Sequence, residues 1–130
     1  MEAPRDRLYS QHHLWVKSEN DRATVGITDY AAEELGEVDY IELPEPNDTI
    51  SKERAFAALE TSKAVTDLVA PISGVVLDCN ILLNESPEMV TLDPYGDGWL
   101  MVLQLSDPDE LDDLMKVEDY EKLVREGSDE

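Results

Sequence analysis

The chain has 130 residues, of which 31 are acidic and 10 basic, giving a formal net charge of -21. A surface this negative repels phosphate backbones and anionic lipid alike, so nucleic acid and membrane surfaces are excluded as expected partners. With 42% hydrophobic residues and no run approaching the ~18 consecutive apolar residues of a membrane span, the composition describes one soluble folded domain over residues 1–130.

Cys79 is the single cysteine, which rules out an intrachain disulfide or a cysteine-rich metal shell. The start MEAPRDRLYS lacks the basic and apolar blocks of a secretory signal. A cytoplasmic setting is expected, or the mitochondrial matrix in a eukaryotic host.

In chain order, the first expected strand is His13–Lys17 and the second Ala23–Ile27, separated by the turn cluster Ser18-Glu19-Asn20-Asp21. On a strand His12 and His13 would point to opposite faces, and no other His or Cys cluster completes a shell, so no metal site is expected. Thr28–Gly36 reads as a short helix, with Thr28 as its cap, apolar Tyr30, Ala31 and Leu35, and a closing glycine. Val38–Leu43 is a strand stopped by Pro44-Glu45-Pro46-Asn47-Asp48.

Ala55–Glu60 and Val65–Ala70 read as two further strands, and between them the alternation breaks at Thr61-Ser62-Lys63-Ala64, which predicts a tight hairpin turn. From Ala55 to Met115 the chain has no lysine or arginine other than Lys63. A hairpin tip gives a long side chain maximum reach while the ladder beneath fixes its base, as a tethered carrier group requires. A second turn at Ala70-Pro71-Ile72-Ser73-Gly74-Val75-Val76 is expected to brace that hairpin as a meander.

Strands are then expected at Gly74–Cys79 and Trp99–Leu105, on either side of a turn at Pro94-Tyr95-Gly96-Asp97-Gly98. Cys79 falls in an apolar strand, where a thiol is expected to be buried and inert. Asp107 starts a helical tail as its cap, with Pro108 in the first helical position and Glu110 completing a capping box ahead of Leu111, Leu114 and Met115. A last short helix carries Tyr120, Leu123 and Val124. Eleven acidic and three basic residues fall between Ser106 and Glu130, so the segment 107–126 is expected to pack on the domain with a solvated acidic outer face. Many short strands at this spacing describe a mainly β fold, a β-sandwich or flattened barrel. No glycine-rich phosphate loop, serine elbow or distinct carboxylate pair is present, so nothing identifies a catalytic centre.

From about Tyr9 to Val124 the sequence resembles the H proteins of the glycine cleavage system. Their attachment motif Glu-Ser-Val-Lys-Ala is matched by Glu60, Lys63 and Ala64, with Thr61-Ser62 in place of Ser-Val. Further family-like stretches are Gly26-Ile27-Thr28-Asp29-Tyr30-Ala31, Leu35-Gly36-Glu37-Val38, Glu42-Leu43-Pro44-Glu45, Pro71-Ile72-Ser73-Gly74, Pro94-Tyr95-Gly96-Asp97-Gly98-Trp99 and Asp109-Glu110-Leu111.

The resemblance implies the lipoyl/biotinyl hammerhead fold, a barrelled hybrid motif, with a short internal helix and C-terminal helices. It also implies a non-catalytic carrier whose Lys63 holds lipoate in amide linkage. The implied partners are a pyridoxal-phosphate glycine decarboxylase, a folate-dependent aminomethyltransferase, dihydrolipoamide dehydrogenase, and a lipoate ligase or lipoyl transferase. The family usually reads His-Glu-Trp where this chain has His13-Leu14-Trp15, which removes a carboxylate implied to receive the aminated arm and leaves Asp67 as a possible partner. That departure leaves open an H-like lipoate carrier of a sulfur-oxidising, heterodisulfide reductase-like pathway. A biotin carrier is disfavoured because Ser62 and Ala64, not methionines, flank the lysine. An interaction module with an unmodified lysine is the remaining alternative.

Overall fold

The computed structural model describes residues 3–127. Among the described residues nine strands form two antiparallel sheets. The larger is built in the order β1 (Leu8–Tyr9), β2 (Leu14–Glu19), β3 (Arg22–Ile27), β9 (Met101–Leu105), β8 (Gly74–Cys79), β5 (Thr49–Ile50). The smaller runs β4 (Val38–Glu42), β6 (Ala55–Thr61), β7 (Val65–Val69). The larger sheet ends at β1 on one side and β5 on the other, so the architecture is an open flattened sandwich and not a closed barrel.

Alternating side chains explain the packing. Leu14 and Val16 of β2 face one way into the principal core, with Val25 and Ile27 of β3, Val76 of β8 and Leu103 of β9. Ile41, Leu59 and Leu68 reach the same core from the smaller sheet. Trp15 points the other way, into a second cluster with Tyr9, Val117 and Tyr120 beneath the last helix. Trp15 pairs with Gly26 across the ladder, and its indole lies where a Cβ on Gly26 would stand, 2.5 Å away. The indole N–H donates to the Pro94 carbonyl at 2.9 Å, and the Arg7 guanidinium covers the ring at 4.5 Å.

The first helix, α1 (Asp29–Leu35), is capped as its sequence indicates: Thr28 Oγ1 accepts from the Ala31 amide, and Gly36, at φ 72°, donates its N–H to the Ala32 carbonyl. Helices α2 (Leu82–Glu85) and α3 (Met89–Leu92) are single turns, and α4 (Val117–Gly127) closes the described chain.

Three sequence expectations are corrected. Residues Pro108–Asp113 form a 3-10 helix with Asp107 capping the Asp109 amide, but Glu110 does not close a capping box. Its carboxylate instead accepts from the Ser73 amide at 2.7 Å and the Ser73 hydroxyl at 3.0 Å, because this bond ties the acidic tail to the loop before β8. The second turn does not continue a meander: β7 and β8 belong to different sheets, so Pro71–Ser73 is the crossing between layers, with Ile72 fully buried in the core. Finally, His12 and His13 sit in the turn before β2 and not on a strand, since His13 has φ 67°.

Candidate functional site

Strands β6 and β7 pair antiparallel from Ala55↔Val69 to Glu60↔Val65, and the turn Thr61-Ser62-Lys63-Ala64 joins them. Two-residue hairpin turns usually need left-handed central residues, which favours Asn and Gly there. Neither Ser62 nor Lys63 has a positive φ. Thr61 supplies the closure instead. Its amide donates to the Ala64 carbonyl at 2.9 Å, and its Oγ1 accepts from the amides of Lys63 at 3.3 Å and Ala64 at 3.2 Å. The hydroxyl thus replaces the glycine that the turn would otherwise demand. A serine at this position, as in the resembled motif, would present the same oxygen.

At the other end of the hairpin, Ala70 donates to the Arg54 carbonyl at 2.8 Å and accepts from the Glu53 amide at 2.9 Å. Leu59, completely buried, fixes the middle of β6 in the core. The tip therefore ends a paired ribbon whose ladder is regular from Ala57 to Glu60, and the four residues from Ser62 to Val65 are exposed.

Several other cations are paired: Lys52 with Asp113 at 2.7 Å, Lys17 with Asp6 at 3.3 Å, Arg5 with Glu118 at 3.0 Å. The Lys63 ammonium has neither hydrogen bond nor ion pair among the described residues. Nothing in the fold has to be broken to reach it. Glu60 and Ala64, which share the resembled motif with Lys63, stand beside it on the same ribbon.

The remaining candidates are dispersed. Leu14 is 1% exposed and belongs to the principal core, so that position offers a methyl surface and no acceptor. Asp67 lies on the outer face of β7 opposite Ala58 and makes no bond to Lys63. His13 Nδ1 meets the Tyr120 hydroxyl at 2.8 Å, and Tyr120 Oη also meets Thr28 Oγ1 at 2.7 Å. Burial, reinforced by the neighbouring His12, holds the His13 imidazole below its ordinary pKa, against a small opposing pull from Glu34. His12 is engaged separately with Glu53 at 3.3 Å. Cys79 donates its thiol to the Pro44 carbonyl at 2.8 Å, and burial pushes its pKa up to about 11, as befits an inert thiol. Among the described residues no group of His, Cys, Asp and Glu is arranged to hold a metal ion, and no helix is long and apolar enough to cross a membrane.

Reasoning from sequence did not anticipate the His13–Tyr120–Thr28 cluster, which links residues far apart in the chain. It also missed the exposed row Tyr40, Glu60 and Val65 across the smaller sheet, where Tyr40 pairs with Glu60 and Glu60 with Val65. An irregularity between Val38 and Tyr40 shifts the register there and hides the row from simple alternation.

Comparison with known proteins gives a consistent picture. The profile of the family described as Glycine cleavage H-protein matches residues 7–127. The glycine cleavage system H protein of Halothermothrix orenii is 44% identical over 126 residues, covering 97% of this chain and 98% of that protein. The mitochondrial glycine cleavage system H protein 3 of Arabidopsis thaliana is 46% identical over 118 residues, 91% of this chain and 71% of that protein. Among solved structures, a glycine cleavage system H protein from Mycobacterium marinum superposes with a TM-score of 0.85 at 32% identity, covering 92% of this chain and 97% of that one.

Proposed function

Because this chain belongs to the glycine cleavage H-protein family, we infer that Lys63 is the residue through which it carries lipoate, in amide linkage to Nζ. The protein is a lipoyl carrier of glycine cleavage. The observation that carries the assignment to Lys63 is an exposed, unpaired ammonium on the turn that ends a paired β-ribbon.

The residues present suit such a group. Ser62 and Ala64 are small and leave Nζ open, and no ion pair opposes loss of the charge. Acylation takes away one positive charge, changing the formal total of -21 to -22. When bound, lipoate supplies a dithiolane whose sulfur–sulfur bond opens on taking up an aminomethyl group and two electrons. The chain's own part is mechanical. Thr61 holds the amides of residues 63 and 64, the β6–β7 ladder fixes the direction of the tip, and tethering raises the effective concentration of cargo wherever the carrier docks. The chemistry belongs to the bound group and to the partner enzymes.

These partners are a pyridoxal-phosphate glycine decarboxylase that loads the arm, a folate-dependent aminomethyltransferase that unloads it, and dihydrolipoamide dehydrogenase that reoxidises it. A lipoate ligase or lipoyl transferase installs the group. Brief docking of an acidic carrier on basic rims suits fast exchange among them. The proposed setting is the cytoplasm, or the mitochondrial matrix in a eukaryotic host. Buried Leu14 is compatible with a sulfur-oxidation carrier, but the relatives described above bear the glycine-cleavage name and favour the glycine route.

Two measurements test this. Peptide mass spectrometry of protein from its native host should find a lipoyl increment on Lys63; an unmodified lysine in every molecule would refute the assignment. Lipoylated protein given glycine and a glycine decarboxylase should acquire aminomethyl cargo. Failure beside an active control H protein would refute the glycine route.

A further inference from the structure

The outer face of the smaller sheet is open beside the lysine tip. Tyr40 on β4 is 53% exposed and Val65 on β7 is 64% exposed. They are aligned across the sheet, on either side of Glu60. The next row on the same face, Glu42, Ala58 and Asp67, adds two exposed carboxylates on its flanks. The face is thus two apolar anchors in an acidic frame.

We propose that this face is the docking footprint of the enzyme that acylates Lys63, with Tyr40 and Val65 as its apolar anchors. The inference rests on the assignment of Lys63 above. Distance selects this partner. Val65 lies two residues along the strand from Lys63, roughly 7 Å, and Tyr40 two strands over from β7, roughly 10 Å. An enzyme that forms the amide must bring its activated acyl donor to Nζ itself, expelling the donor's leaving group and one proton, and so must close over the strands beneath. Enzymes that act on the far sulfurs work beyond the end of a further acyl chain and can stand away from the row. Charge defines the rest of the partner's surface. Glu42, Glu60 and Asp67 require a rim of lysine or arginine around two shallow apolar depressions.

The test compares apo wild type with Tyr40→Ala, Val65→Ser and the double variant as substrates of a lipoate–protein ligase supplied with lipoate and ATP. Melting temperatures verify that each variant is folded. Ile81→Ser and Leu92→Ser are controls, since both are exposed apolar residues off this sheet. The footprint predicts that KM for the carrier rises about ten-fold in Tyr40→Ala and further in the double variant, with kcat nearly unchanged and the controls like wild type. It also predicts that variants lipoylated to completion at high ligase are loaded by glycine decarboxylase within about two-fold of wild type. Wild-type KM for acylation across the whole series, or a loading defect as large as the acylation defect, would overturn the footprint while leaving Lys63 as the carrier residue. Wild-type chain that the ligase leaves unmodified would instead overturn the carrier assignment, and the footprint with it.

Discussion

Replacing Tyr120 by Phe removes one oxygen and nothing else. The ring is 2% exposed, stacks on Tyr9 at 4.8 Å with planes 13° apart, and would stay in place. Its hydroxyl is the only bridge between His13 Nδ1 at 2.8 Å and the fully buried Thr28 Oγ1 at 2.7 Å among the described residues. Thr28 keeps a second partner in the Ala31 amide, whereas His13 Nδ1 keeps none. Two neutral hydrogen bonds in a largely dry site at about 1 kcal/mol each give a loss of about 2 kcal/mol. For a domain of this size that lowers Tm by roughly 6–10 °C. Urea unfolding should show the midpoint falling with the slope m unchanged, because the exposed surface on unfolding is the same. Since the bridge joins α4 to the turn before β2 and the start of α1, hydrogen exchange should accelerate first in α4. A loss under about 0.5 kcal/mol would refute the reasoning, and would mean that the hydroxyl does not hold the helix to the sheet.

Lys63→Arg should fold with an unchanged melting temperature yet accept no lipoyl group, since a guanidinium does not form the amide; a drop in stability would reveal a structural role that the free ammonium does not suggest. Gly26→Ala should cost about 1–3 kcal/mol, because its methyl would displace an indole held by the Pro94 carbonyl and by Arg7, and Trp15 fluorescence should shift as the ring moves. For His13 the sign is fixed by burial: its folded pKa is depressed below the ordinary imidazole value of about 6.5, so the unfolded chain binds the proton more readily. Its contribution to stability is therefore intact above about pH 6.5 and lost as pH falls through that value toward the folded pKa. His13→Asn, which suits the positive φ, should flatten the slope of stability between roughly pH 7 and 5; an unchanged slope would assign it to other groups.

How much could be read from the sequence depended on the range of the interaction. Alternation placed β2, β3, β4, β6, β7, β8 and β9 to within a few residues, and the Thr28 and Asp107 caps were legible because a cap is a local event. Strands β1 and β5 have two residues each, too few for any period to register. Helices α2 and α3 lack side-chain caps and span one turn, so no start signal announces them. That β7 and β8 belong to different sheets was invisible for another reason: the crossing at Pro71–Ser73 has the composition of an ordinary turn, and only its burial and its bond to Glu110 distinguish it. The isolation of Lys63 among neutral residues is a property of the sequence itself. Its lack of any ionic partner is a property of the fold, as is the Tyr40–Val65 row.

The turn that bears Lys63 is closed by the γ-oxygen of residue 61 acting on main-chain amides, and the lysine side chain takes no part in that closure. A group attached at Nζ, as proposed above, would therefore leave the main-chain bonds that close the turn intact.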